Sequence, residues 1–224
     1  VFGAVLAPVG FFFLASLSVS QVSLGVLFAI AVLIERAVTE LLKGYLRNEP
    51  QDKYKIPSTV HLLGRVVKGG GKRVILGALA TAVFIALTLL MFSLDMEGLG
   101  RPAVGAVFGF LGGLLIAVGG GLKDAPIEGF DCGKFFRSPL VAMLSGLLLS
   151  FFAGNPGVLM LASMGGERMV TEAYKTFVKK SVPGKFRAAA PSYPDWTRRR
   201  MALVLPYAAT WIVFALSLSS SIRL

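Results

Sequence analysis

The chain has 224 residues, 55% of them hydrophobic and 16% charged, with a mean hydropathy of +0.73. A water-soluble domain carries about 25% charged residues, so this composition excludes an ordinary soluble fold and points to lipid as the solvent. The formal charge of +11 lies between the apolar runs and not within them, a pattern of orientation signals and contacts with anionic lipid head groups rather than of nucleic-acid binding.

One cysteine, Cys132, leaves no intrachain disulfide, and one histidine, His61, leaves no histidine-rich metal cluster. No Walker-type phosphate loop, paired metal-ligand spacing or nucleophile elbow is present. The sequence leaves any cofactor unknown, and the chain reads more as a non-enzyme. Opening at Val1, it is expected to be a mature or partial form; the apolar residues from Phe2 onward are too many for a signal segment.

The first apolar block, Val1 to Ile34, exceeds the roughly 20 residues of one perpendicular span. A polar cluster containing Ser18, Ser20 and Gln21 interrupts it. The spacing predicts either one long kinked helix or a helical hairpin that enters the membrane and returns. Next comes Glu35-Arg36-Ala37-Val38-Thr39-Glu40-Leu41-Leu42-Lys43, with apolar residues at helical spacing and charges three and four apart on the other side. It is expected to form an amphipathic helix at the membrane surface or the wet end of the preceding span. A basic loop follows, and then an apolar span over Val74–Leu94.

The short stretch 95–101 makes the next span, Pro102–Leu122, an antiparallel neighbour. It carries Gly105, Gly109, Gly113, Ala117 and Gly121 at every fourth position, a ridge of small residues that allows close helix packing. Asp124 and Glu128 follow directly. They are expected either to sit at a cavity mouth as gating or coupling carboxylates, or, in the case of Asp124, to cap a short helix with Pro126 in its first turn.

The second long block, Pro139 to Met164, is broken at Gly154-Asn155-Pro156-Gly157, a strong turn signal. It leads into Glu167-Arg168-Met169-Val170-Thr171-Glu172-Ala173-Tyr174-Lys175, a near copy of the segment that begins at Glu35. Another basic stretch and a last span, Met201–Ser220, complete the chain. Residues 35–73 hold nine basic and four acidic side chains, and residues 167–200 hold nine and three. Two hairpins would put both basic loops on one face, as the positive-inside tendency favours; single crossings would invert the repeats.

The expected fold is therefore all-α: a polytopic helical membrane protein with an internal duplication. Its single membrane domain, 1–224, comprises repeat one (1–94), a glycine-ridged span (102–122) and repeat two (137–220). Ion pairs between repeats are expected among Glu35, Arg36, Glu40, Glu167, Arg168 and Glu172. If the breaks lie at membrane depth, Ser18, Ser20, Gln21, Gly154 and Asn155 are the candidate solute contacts.

The leading functional expectation is a transporter or channel for a small anionic solute between the repeats. The competing one is a non-catalytic subunit of a larger membrane complex, energy-converting or photosynthetic; a third is an enzyme acting on lipid head groups at the basic face. Expected partners are membrane lipids, whose anionic head groups meet the basic loops, and either further copies of the chain or other membrane subunits. The expected location is a bacterial inner membrane or an organellar one.

Overall fold

The computed structural model describes residues 21–62, 64–96, 98–180 and 199–223, and the chain is mostly helical. Six α-helices are described: α1 (Leu24–Leu41), α2 (Gly70–Phe92), α3 (Arg101–Glu128), α4 (Cys132–Leu149), α5 (Pro156–Ala173) and α6 (Val204–Leu218). Among the described residues four helices are long and apolar enough to cross a membrane: α2, α3, α4 and α6 together with its leading 3-10 turn, Arg200–Leu203. Helices α1 and α5 have only 18 residues, three of them ionised, whereas α4 of the same length has two and the longer α3 keeps Lys123, Asp124 and Glu128 beyond a long apolar run.

The helices alternate in direction. Lys123 near the end of α3 lies 3.8 Å from Glu40 near the end of α1, and Ser138 near the start of α4 donates at 2.8 Å to Glu167 in the last half of α5. Arg73 in the first turn of α2 reaches the Arg47 carbonyl beyond α1. These contacts gather the ends of α1, α3 and α5 with the starts of α2 and α4 into one charged end.

At the opposite end two short strands, β1 (Gln21–Ser23) and β4 (Ser221–Arg223), pair antiparallel with Val22 opposite Ile222. They clasp the start of α1 to the end of α6. The second block is a helical hairpin, α4 turning into α5 at residues 150–155, with both arms 18 residues long. Each arm thus spans about 27 Å, close to the thickness of a bilayer's hydrocarbon core.

Helix α5 is the axle. Fourteen of its 18 residues are buried, and α1, α2, α3 and α4 all pack on it. Small residues make this possible. A Cβ on Gly165 would collide with the Ala29 carbonyl of α1, and one on Gly112 of α3 would press on Met164 and Met160. The ridge of α3 lies against α4 in antiparallel register: Gly105 meets Gly146, Gly109 meets Ala142, and Gly113 meets Ser138 and Pro139. Gly121, further along, faces the ring of Phe135 at ordinary contact distance.

Helix α3 runs on to Glu128, so Asp124 does not cap a separate short helix. The cap that the chain uses is Asp131, whose carboxylate accepts from the Lys134 amide at 3.0 Å to start α4. Pro126 is tolerated in the last turn of α3, where it removes one N–H and crowds the carbonyl four residues back. In that loosened turn the Lys123 carbonyl accepts from buried His61 Nε2 at 2.6 Å.

His61 belongs to a folded connection between α1 and α2. Strands β2 (His61–Leu62) and β3 (Arg65–Val66) form a small hairpin, with Gly64 at φ +80° in its turn. Tyr54, Ile56 and Thr59 of the same connection are buried. Replacing His61 by phenylalanine should remove its buried hydrogen bonds to the Thr59 and Lys123 carbonyls and destabilise the protein by about 1–3 kcal/mol. A thermal melt in detergent measures this, and an unchanged midpoint would count against the bond.

Glu49 organises the same connection. Tyr54 donates to it at 2.7 Å and Lys53 at 2.6 Å, with Arg47 paired to it as well. Slight burial works to raise its pKa, but the Lys53 and Tyr54 hydrogen bonds and the Arg47 charge outweigh it and hold the carboxyl below its usual range. A carboxylate lowered in the folded state stabilises it above the ordinary carboxylate pKa, and that contribution is lost as pH falls through the lowered value. Amide exchange in residues 49–60 should therefore accelerate between about pH 5 and pH 3 beyond the intrinsic rate change, and less so in Glu49→Gln.

Candidate functional site

The two copies of the charged motif adopt matching structures. Helices α1 and α5 both have 18 residues, and each continues into a five-residue π-helical turn, Leu42–Leu46 and Tyr174–Val178. Every boundary is offset by the same 132 residues (156 − 24 and 174 − 42). The caps match too. Ser23 accepts from the Gly25 amide, and Asn155, at the same offset, accepts from those of Gly157 and Val158.

Each cap also grips the end of a further helix. Ser23 Oγ donates to the Leu218 carbonyl of α6 at 2.8 Å, and Asn155 Nδ2 donates to the Phe92 carbonyl of α2 at 3.3 Å. Gly25 and Gly157 make room for those helix ends, the first against Leu218 and the second against Phe92. At the charged end Tyr45 packs on Gly77 of α2, and Phe177, again 132 residues on (177 − 45), stands edge-on to Tyr207 of α6 with ring centroids 5.0 Å apart. Substituting alanine for Ser23 or Asn155 should each cost about 1 kcal/mol in a thermal melt.

Within the motifs the ion pairs run along each helix, Arg36 to Glu40 and Arg168 to Glu172, four residues apart. Across the copies the groups feel one another's charge: Arg168 senses both Arg36 and Glu40. Glu167 is buried and takes the Ser138 hydroxyl, whereas its counterpart Glu35 is half-exposed and accepts from Thr39 at 3.1 Å. In the π-turns, burial lowers the Lys43 and Lys175 pKa values, and the charge of Arg36 or Arg168 respectively adds to the effect.

Between the motif copies and α6 lies a cavity of about 420 Å³. Its charged wall is Glu35 and Arg36 of α1 with Arg168 and Glu172 of α5; Val32 and Met169 continue it inward. The facing wall is one stripe of the last helical segment: Leu203, Pro206, Tyr207, Thr210 and Trp211. Helix α6 touches α1 deeper down, where the tilted rings of Phe28 and Phe214 have centroids 6.0 Å apart. The cavity is therefore a cleft at the charged end, with ionised groups on one side and aromatic and aliphatic groups on the other.

The other sequence-derived candidates lie elsewhere. Ser18 and Ser20 fall outside the described residues, and Gln21 pairs through its backbone with Arg223. Gly154 and Asn155 form the turn before α5, at the end opposite the cleft, so they and the arginines do not share a site. Asp124 and Glu128 are held by Lys134 at 3.1 and 2.9 Å, and Lys55 reaches Glu128 at 3.2 Å; neither carboxylate lines the cleft. Among the described residues no group of three or more His, Cys, Asp or Glu side chains is placed to hold a metal ion.

Sequence reasoning missed the α6 wall. Its signal was available as the 203, 206, 207, 210 and 211 spacing of one helix face. No protein-family model, curated protein or solved structure matches the chain.

Proposed function

We propose that this is a polytopic membrane protein built by internal duplication, and that it transports a small solute bearing an anionic group through the interface of its two repeats. The observation that carries the reading is the cleft, in which Arg36 and Arg168, equivalent residues of the two motif copies, line one cavity. Both copies run in the same sense towards the charged end, which fits parallel repeats related by an axis along the membrane normal. The concentration of cations at that end fits a cytoplasmic or equivalent inner face and contact with anionic head groups. Ligand sites between the helices of a bundle, apolar with a few convergent charged groups, are of this kind.

The test uses the full chain reconstituted in vesicles loaded in turn with phosphate, chloride, a short carboxylate and phosphorylethanolamine. At least one should leave faster than from protein-free vesicles, and Arg36→Gln with Arg168→Gln should remove the excess. No faster efflux for any of them would overturn the transport reading.

A second reading, a non-catalytic subunit of a larger membrane complex, is favoured by one observation. Helix α6 buries none of its residues, and α2 exposes Ile75, Leu79, Val83 and Leu90. Mass spectrometry after mild-detergent purification separates the two, because a stoichiometric partner set would displace transport from first place.

A further inference from the structure

The cleft's ionised lining is balanced. Glu35 and Glu172 face it with two negative charges, Arg36 and Arg168 with two positive ones. A simple anion would satisfy the guanidinium groups and leave two carboxylates beside it, which is repulsive at short range. A ligand that carries both signs meets both. The opposite wall asks for something different again: Tyr207 and Trp211 present aromatic faces on a helix with no buried residue, one that borders the surrounding solvent of the bundle. Tyrosine and tryptophan in such a place belong at the boundary between head groups and acyl chains.

We infer that the cleft binds the head group of a zwitterionic phospholipid of the phosphoethanolamine class, with its chains leaving along Met169 and Trp211. The phosphate bridges Arg36 and Arg168, for which the forked guanidinium geometry is suited. The primary ammonium donates to Glu35 and Glu172, and Trp211 adds a cation–π surface beside it. A cavity of about 420 Å³ falls within the range of sites for ligands of this size. Arg36 and Arg168 then exchange part of their pairing with Glu40 and Glu172 for the phosphate, so binding costs no unpaired buried charge.

This inference rests on the cleft being the site proposed above, but it concerns what binds there and is tested without flux. The chain has two tryptophans, Trp196 and Trp211. In the full chain carrying Trp196→Phe, Trp211 becomes the single emitter. The protein is reconstituted in nanodiscs with rising fractions of lipid brominated near the top of the chain, as phosphatidylethanolamine, phosphatidylcholine or phosphatidylglycerol. Quenching should reach half its limit at a mole fraction at least threefold lower for phosphatidylethanolamine than for either of the others. Glu35→Gln and Glu172→Gln, each checked for an unchanged thermal midpoint, should erase that preference and leave the phosphatidylglycerol curve in place or improved.

Any order that does not put phosphatidylethanolamine first, including equal quenching by all three, overturns the inference. Preference without solute efflux in the vesicle assay would remove transport and leave the lipid site standing. Efflux without preference would do the reverse.

Discussion

Leucine in place of Gly165 should lower the unfolding midpoint of the detergent-solubilised protein by about 10 °C, or prevent its accumulation altogether. The side chain would grow into the Ala29 carbonyl of α1, a backbone group that cannot rotate aside. Overpacking of a core costs typically 1–3 kcal/mol when side chains can yield, and here the obstacle is main chain, so we expect the upper end, about 3 kcal/mol. At about 2–4 °C per kcal/mol for a chain of this size that gives the stated shift. Gly119→Leu is the control: a Cβ there meets nothing within 4 Å, and leucine favours a helix over glycine by several tenths of a kcal/mol. Equal midpoints for the two variants would mean that α1 and α5 do not approach as closely as described.

Removing the guanidinium of Arg168 should reduce solute efflux about tenfold, a change of about 1.4 kcal/mol, while Arg36→Gln should reduce it less. The difference follows from setting. The Arg168 side chain is 21% exposed and sits beside Glu167, Glu172 and the Arg36–Glu40 pair; that of Arg36 is 32% exposed. A charge nearer the core is screened less by water and salt. If both meet the same solute, the double variant will fall short of the product of the single effects, because groups sharing one partner are not independent. Effects that multiply cleanly would place the two arginines on separate events. Pairing Glu40→Gln with Glu172→Gln extends the test to stability, where simple additivity would argue against coupling between the motif copies.

Much of the helical plan could be read from periodicity and charge. The apolar runs at 74–94 and 102–122 correspond to α2 and α3, and the strong turn at Asn155-Pro156-Gly157 correctly marks where one helix gives way to the next. The charged motif reads as a helix end because its apolar positions recur at three and four residues. What could not be read has a physical reason in each case. Proline at 126 argues for a helix boundary, but the carbonyl it orphans, that of Leu122, lies in the last turns of α3, where few helical bonds remain to be lost, so the helix survives it. Asn155 reads equally well as a ligand group or part of an ordinary turn, and only the position of Phe92 decides what its amide touches. The α6 wall depends on how far that helix leans from α1, which is a tertiary fact with no local signature. Residues 47–69 look like a basic loop by composition, yet Glu49 and the buried Tyr54 give them a core of their own.

The axle position of α5 has a bearing on how the chain is made. Ribosomes deliver the helices in order, so α1 to α4 emerge first, and the slot lined by Ala29, Gly112 and Ser145 stands unfilled until residue 156 follows. The latecomer, like α1, carries three ionised side chains, Glu167, Arg168 and Glu172, within 18 residues. Biogenesis must then hold a half-built bundle open, and a stalled or truncated nascent chain ending before Pro156 presents small-residue grooves that another polypeptide can occupy.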